Sequence, residues 1–197
     1  MNPAIVPLVE GQAEVISTPL LLRRLLHGQE RFDLDVPRPI RFRRNKITKE
    51  GELARTLAIG ARDRPNVVGA IVILDADKDC PVKLANDLSR QAASATHLPV
   101  EVVVATCEFE AWLLAGVNSL RASGRVAADA RPPEDPERIR DAKGALRQCM
   151  PPGKTYHEVG DQPTFVEEVD LAEVRNRCRS FRRLDSALAN LLRAIDS

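Results

Sequence analysis

Aromatic side chains are scarce in this sequence of 197 residues, because Phe, Trp and Tyr together make up 4% of it and there is a single Trp and a single Tyr. A core with so few rings must consist mainly of Leu, Val, Ile and Ala, which argues against an aromatic-rich β-sandwich. Hydrophobic residues still account for 44% of the chain. That share is ample for a folded core, and the length suits one folding unit.

Excess charge, paired cysteines and long apolar runs are lacking as well. Lys and Arg total 29 and Asp and Glu total 28, which gives a formal net charge of +1, so a nucleic-acid site would have to be a local patch. The four cysteines are widely scattered, which argues against a zinc knuckle or a disulfide scaffold. No segment approaches the roughly 20 apolar residues that a membrane-spanning helix needs. The sequence therefore predicts a soluble, cytoplasmic protein that makes no membrane contact.

Strand and helix patterns alternate along the first part of the chain. The predicted strands are residues 4–9, 37–44, 67–74 and 100–105, and the predicted helices between them are residues 13–26, 48–62 and 81–94. Two further helices are predicted near residues 136–148 and 171–195. This alternation predicts an α/β fold with a mostly parallel sheet flanked by helices. We divide the chain into an α/β core (1–120), a proline-rich linker (121–136) and a helical C-terminal extension (137–197) that packs on the core.

Acidic residues follow three of the predicted strands. Glu10 follows the first strand, Asp75 and Asp77 follow the third, and Glu108 and Glu110 follow the fourth. Ligands bind at the carboxyl ends of parallel strands, so we expect these side chains to converge on one edge of the sheet. Carboxylates held close together repel one another and stay ionised when a cation lies among them. Mg²⁺, or Mn²⁺ in its place, suits such oxygen ligands.

Each acidic segment also has a simpler structural interpretation. Glu10 and Gly11 suit a turn from strand to helix, and the segment from Asp75 onward suits a helix cap. A phosphatase of the haloacid-dehalogenase type also has an Asp-x-Asp at a strand end, but there the motif follows the first strand, with Thr or Val after the second Asp. Here Lys78 stands after the second Asp. The combination of acidic segments favours the cation site.

Basic residues supply two further predictions. The densest basic cluster follows the second predicted strand and includes Arg41, Arg43, Arg44 and Lys46. Such residues contact nucleic-acid phosphates, although charge runs are also common on solvated faces. Lys143 lies in the extension and would neutralise charge in a phosphoryl transition state if the extension folds over the acidic edge. The simpler interpretation of Lys143 is an exposed lysine on a helix.

Several of these segments resemble a known family. Leu-Val-Glu-Gly at 8–11 and Leu-Asp-Ala-Asp at 74–77 resemble the Glu-Gly turn and the Asp-x-Asp strand end of Toprim domains. Glu-Phe-Glu-Ala-Trp-Leu-Leu-Ala at 108–115 and Cys-Arg-Ser-Phe-Arg-Arg-Leu at 178–184 are similar to family 4276 of domains of unknown function, which has a Toprim-like, Rossmann-like core. This resemblance covers nearly the whole chain.

The resemblance implies roles for individual residues. Glu10 would bind metal or act as general acid or base, and Asp75 and Asp77 would hold Mg²⁺. Glu14 matches a second metal-binding glutamate of the OLD-type nuclease branch, one turn into the first helix.

Glu108 and Glu110 belong to the narrower family's own signature. We name both as candidate metal ligands. Because they are two positions apart, they cannot both point the same way in a helix, so we expect one at the edge of the sheet and the other at the surface or in a cap.

The resemblance also implies a function. Toprim relatives suggest a Mg²⁺-dependent nuclease that cuts DNA or RNA, with a role in bacterial anti-phage defence. The alternative is a regulatory or effector subunit that acts with an ABC-type or AAA-type ATPase, since the chain has no complete nucleotide-binding loop of its own. A homodimer is compatible with either function.

Overall fold

Four strands form one parallel sheet in residues 2–62 and 64–197, which the computed structural model describes. They are β1 (Ala4–Val9), β2 (Ile40–Arg41), β3 (Val67–Asp75) and β4 (Val100–Ala105). Their spatial order is β2-β1-β3-β4, and each neighbouring pair is parallel. Helices cover both faces of the sheet, so the predicted α/β class with a Rossmann-like parallel sheet is confirmed.

The helices are distributed along the whole chain. The described residues form α1 (Glu14–His27), α2 (Arg44–Ile47), α3 (Glu52–Arg62), α4 (Pro81–Ala95), α5 (Glu110–Ala115), α6 (Val117–Ala122), α7 (Ala142–Cys149), α8 (Glu158–Glu168), α9 (Leu171–Arg177) and α10 (Arg179–Ile195). A short 3-10 helix, Pro136–Arg138, precedes α7. No helix among the described residues combines the length and the apolar character needed to cross a membrane.

The sheet is buried on both faces, which explains the continuous apolar run of β3. Ile71 and Ile73 belong to a core shared with α1, α5 and α10, whereas Val72 and Leu74 belong to a second core shared with α3 and α4. Successive side chains of a strand point to opposite faces, so a strand that is covered twice needs an apolar residue at nearly every position.

The second strand is much shorter than predicted. Within the predicted segment 37–44, only Ile40 and Arg41 pair with β1, and the chain then turns into α2 at Arg44. Asp35, before this segment, forms an isolated parallel bridge with Ala4. Pro37 and Pro39 have no N–H to donate to a neighbouring strand, which leaves little of the predicted segment able to pair. β2 does lie at the edge of the sheet, which is the position that the two prolines predict.

The C-terminal helices also differ from the prediction. The segment 171–195 is two helices, because Cys178 between α9 and α10 has an extended backbone with φ −116° and ψ 119°. The helix α8, which carries Pro163 in its interior, was not predicted from the sequence. Segment 123–135, inside the predicted linker, contains no helix or strand.

The predicted extension shares one core with the sheet. Trp112 on α5 donates its indole N–H to the Ser180 hydroxyl on α10 at 2.8 Å. Arg24 on α1 donates to the backbone oxygens of Val166 and Val169, at 2.5 Å and 2.8 Å, where α8 ends. These contacts hold α10 and the end of α8 against the helices that cover the sheet.

Candidate acidic site

Acidic side chains from three strand ends meet at the carboxyl edge of the sheet, which we call the rim. Glu10 directly follows β1, and Asp75 is the last residue of β3. Burial raises the pKa of the Glu10 carboxyl, and the negative charges of Asp77 and Glu14 raise it further, whereas Arg44 and Lys143 oppose the shift. The structure therefore brings Glu10 within electrostatic reach of Asp77 and Glu14, whereas the charges that act on Asp75 are those of Glu14, Glu110 and Lys143.

The turn between β1 and α1 holds Glu14 against the backbone. The Gly11 N–H donates to the Glu14 carboxylate, and the Glu14 residue is only 8% exposed. A Cβ at position 11 would lie 2.6 Å from the Glu14 carboxylate oxygens, so this close approach requires glycine. Burial raises the pKa of Glu14, against the opposing effects of the Gly11 N–H and Lys143.

Asp75 and Asp77 lie in a loop that is joined to the loop after β4. The Asp75 carboxylate accepts the Phe109 N–H at 2.8 Å, and the Asp77 N–H donates to the Cys107 carbonyl at 3.1 Å. Asp77 and Cys107 both have left-handed backbones, with φ of 51° and 63°. Such conformations cost about 1–3 kcal/mol each in non-glycine residues and persist where surrounding contacts fix them.

The environment of Asp75 strongly favours its protonated form. Burial raises the pKa of the Asp75 carboxyl well above its usual range, and the charges of Glu14 and Glu110 add to this. Lys143 acts in the opposite direction. We call Glu14, Asp75, Glu110 and Lys143 the inner group.

Glu110 is a fully buried member of the inner group. One carboxylate oxygen accepts the Tyr156 hydroxyl at 3.3 Å and the Gln162 amide N–H at 3.1 Å. The other oxygen, Oε2, is buried and has no hydrogen-bond partner. Burial, with smaller contributions from Glu158 and Glu14, raises the pKa of Glu110 to about 7 although Lys143 opposes the shift. Glu110 therefore lies between the sheet and α8, turned away from solvent.

Glu108 has a different environment from Glu110. Its carboxylate accepts the backbone N–H of Lys143 at 3.0 Å, so it caps the first turn of α7 together with Asp141, which accepts the Gly144 N–H at 2.8 Å. The structure thus places one of the two predicted glutamates in a cap and buries the other.

Lys143 provides positive charge in the middle of this set. Burial lowers the pKa of Lys143. The carboxylates around it raise this pKa by more, so the net shift is upward; these carboxylates are Glu110, Glu158, Asp75 and Glu108. Its ammonium nitrogen lies 3.4 Å from a carboxylate oxygen of Glu158. The extension does fold over the rim, as the interpretation of Lys143 as a site residue requires.

Glu158 is a site residue that the sequence analysis missed. It is the first residue of α8, the helix that was not predicted, and its charge raises the pKa of both Glu14 and Glu110. Acidic residues favour the first turn of a helix, so a predicted start of α8 would have drawn attention to it.

The donor set suits a hard divalent cation. Oε2 of Glu10 and Oε2 of Glu110 are both buried without a hydrogen-bond partner, and carboxylate oxygens are the ligands that Mg²⁺ prefers. Within residues 2–62 and 64–197, however, no three acidic, His or Cys side chains already stand close enough to hold a metal ion. Binding would require these carboxylates to move toward one another.

The basic cluster lies beside the rim and divides into two kinds of residue. Arg43 and Lys46 are exposed. Arg41 donates to the Glu10 carbonyl and to the Gln12 side chain, each at 3.1 Å. Arg44 points at the loop after β3 and donates to the carbonyl of Asp75 at 2.8 Å.

Comparison with known proteins gives a family and a weak structural likeness. No curated protein matches the chain. Solved structures of the C-terminal region of the OLD protein of Xanthomonas campestris pv. campestris are similar at 16% identity. One has a TM-score of 0.40 and the match covers 96% of each chain, and another has a TM-score of 0.39 with 94% of this chain and 97% of that chain covered. A likeness at this level carries no conclusion about activity.

The family match also covers most of the chain. The model of a family described as a domain of unknown function (DUF4276) matches residues 9–189, which include every acidic and basic residue discussed above. The resemblance to this family is confirmed, and the chain belongs to the DUF4276 family.

Proposed function

We propose that this protein is a metal-dependent nuclease of Toprim type that hydrolyses phosphodiester bonds in DNA or RNA. The observation that carries the proposal is the meeting of carboxylates from three strand ends, two of them with buried oxygens that have no hydrogen-bond partner, beside an exposed basic surface. Neither a strand-to-helix turn nor a helix cap requires such a gathering of buried acidic groups.

Mg²⁺ or Mn²⁺ is the cofactor in this proposal. Glu10, Asp75 and Asp77 would hold it, with Glu14 and Glu110 as neighbouring carboxylates. When bound, the metal would activate water and stabilise negative charge on the phosphate. The raised pKa of Glu10 suits a group that takes up and releases a proton as general acid or base.

Two sets of cations complete the proposed site. Lys143, whose pKa is raised by the carboxylates around it, stays charged and would neutralise negative charge that develops on the phosphate or leaving oxygen. The exposed Arg43 and Lys46, with Arg41 beside them, would contact the backbone phosphates of DNA or RNA. Glu108 acts through the backbone of Lys143 and is a positioning residue in this scheme.

The proposal is tested by a cleavage assay with Mg²⁺ or Mn²⁺ on plasmid DNA, single-stranded DNA and bulk tRNA. Asp77→Asn removes the charge of an exposed residue, and Asn tolerates the left-handed backbone at this position. We expect metal-dependent cleavage in the wild type and at least a hundredfold loss in the variant at an unchanged melting temperature. Asp129→Asn, an exposed Asp outside the site, is the matched control and should cleave like the wild type. Full activity in Asp77→Asn would refute the proposal.

A second function, a regulatory or partner-activated effector subunit acting with an ABC-type or AAA-type ATPase, has one observation in its favour. Lys143 already neutralises much of the inner group, and the described residues contain no closed set of three metal ligands. Copurification with such an ATPase, together with no detectable Mn²⁺ binding, would favour this function. A defence role and a cytoplasmic location are compatible with either function.

A further inference from the structure

We infer that Arg44 is a positioning residue that fixes the Asp75–Asp79 loop, which we call the aspartate loop, in the shape that presents Asp77 at the rim. The inference rests on the proposed function for its effect on metal binding. It also changes the role of Arg44, which the sequence alone places among the nucleic-acid contacts.

The guanidinium of Arg44 contacts three acceptors on this one loop. It donates to the Asp75 carbonyl at 2.8 Å, to the Ala76 carbonyl at 3.5 Å and to the Asp79 carboxylate at 2.6 Å. The Arg44 side chain is 19% exposed, whereas that of Asp79 is 63% exposed. Its donors are therefore occupied by acceptors of this loop, and little of the group is left to meet a phosphate.

The shape of the guanidinium suits the binding of several acceptors on one loop. Its N–H groups form a planar, rigid fork, so a single arginine can bind a carbonyl and a carboxylate at fixed angles. A lysine ammonium carries the same charge but lacks the fork. The arrangement at Arg44 therefore depends on geometry as well as on charge.

The aspartate loop is held from two sides. On the β4 side, the Asp77 N–H donates to the Cys107 carbonyl at 3.1 Å. On the β2 side, Arg44 holds the carbonyls that precede Asp77, and the Asp79 N–H closes the loop on the Ala76 carbonyl at 2.8 Å. The left-handed backbone of Asp77 is disfavoured in isolation, so it needs contacts of this kind to persist.

Sequence position explains why this arginine has the role. Arg44 is the first residue of α2 and lies just beyond β2, and the carboxyl end of β2 is on the same rim as that of β3. Arg43, one residue earlier, is exposed. The pair therefore offers a matched comparison of two neighbouring arginines, one directed into the loop and one toward solvent.

The first measurement is amide hydrogen exchange on the metal-free protein, which does not depend on the proposed activity. We expect the Asp77 and Asp79 amides to exchange about tenfold faster or more in Arg44→Met, while amides of α10 keep their wild-type rates. Arg43→Met should leave the aspartate loop unchanged. Unchanged exchange at Asp77 and Asp79 in Arg44→Met would overturn the inference whatever the protein does.

The second measurement is the Mn²⁺ affinity of the same variants by electron paramagnetic resonance titration. Groups that orient metal ligands typically change affinity 10-fold to 100-fold when removed, so we expect a loss of about that size in Arg44→Met and none in Arg43→Met. Arg44→Lys separates geometry from charge: we expect it to bind Mn²⁺ nearly as weakly as Arg44→Met. Wild-type affinity in Arg44→Lys would mean that charge alone matters and would overturn the positioning role.

The two measurements also separate this inference from the proposed function. If Asp77→Asn binds Mn²⁺ like the wild type, the proposed metal role of Asp77 is wrong, while the exchange result still decides whether Arg44 fixes the loop. Should Arg44→Met fail to fold, Arg44→Lys provides the same exchange comparison.

Discussion

At the scale of single residues, Glu14 and Glu110 show how this chain keeps acidic groups inside. Glu14 is 8% exposed and Glu110 is fully buried. A buried charge is costly unless hydrogen bonds or an opposite charge compensate it. Glu14 receives the Gly11 N–H, Glu110 receives donors from Tyr156 and Gln162, and Lys143 acts on both. Each glutamate thus has its own hydrogen-bond donors, and the positive charge of Lys143 acts on both.

Gly11→Ala tests whether the Gly11 N–H holds the Glu14 carboxylate in place. The added Cβ would meet the Glu14 carboxylate, the mobile end of a side chain, which can move away at a cost in stability below about 1 kcal/mol. Moving it breaks the contact with the Gly11 N–H, so we expect Mn²⁺ affinity to fall about tenfold. Isothermal titration calorimetry and thermal denaturation measure the two effects.

The matched control is Gly124→Ala, at a glycine with φ of 74° and open space around it. Backbone strain there should cost about 1–2 kcal/mol without any change in Mn²⁺ affinity. Wild-type affinity in Gly11→Ala would contradict the role given to the Gly11 turn.

At the scale of helices and strands, the sequence predicted the strands β1, β3 and β4 closely because each is a short apolar run with an abrupt polar end. The carboxyl ends of parallel strands share one edge, so the placement of Glu10, Asp75 and Asp77 at the same edge of the sheet could be predicted as well. Lys143 could be named only as a candidate, because its position over the rim depends on how α7 packs. Glu158 was missed because α8 itself was missed. Residues that reach a site through tertiary packing leave no periodic signal in the sequence.

The attachment of α8 to α1 gives a prediction at this scale. Arg24 donates to the Val166 and Val169 carbonyls at the end of α8, and Arg24→Met would leave both without this donor. We expect the free energy of unfolding to fall by about 1–3 kcal/mol, measured by urea denaturation. Arg193→Met, which removes an exposed arginine that donates to Asn190 on its own helix, is the control and should change stability by less than about 0.5 kcal/mol. An equal effect of both variants would mean that Arg24 does not anchor α8.

At the scale of the whole molecule, the sheet and the C-terminal helices share one hydrophobic core. The larger core contains Ile71 and Val103 from the sheet, Leu22 from α1, and Phe165 and Leu188 from α8 and α10. The smaller core on the opposite face shares the same strands. Neither face of the sheet can lose its helices without exposing apolar strand residues to water, so the two parts should not unfold separately.

The single Trp makes this cooperativity measurable. Trp112 is 2% exposed and packs edge-on against Phe181 of α10, with ring centroids 5.4 Å apart. Its indole N–H also donates a hydrogen bond to the Ser180 hydroxyl. Its fluorescence therefore reports on the contact between α5 and α10, while far-ultraviolet circular dichroism reports on all helices. We expect the two urea transitions to coincide, as they do in two-state unfolding. A fluorescence transition at a lower urea concentration would show that α10 leaves the sheet first. The acidic site needs Lys143 and Glu158 from beyond residue 120, so it would then be lost before the sheet unfolds.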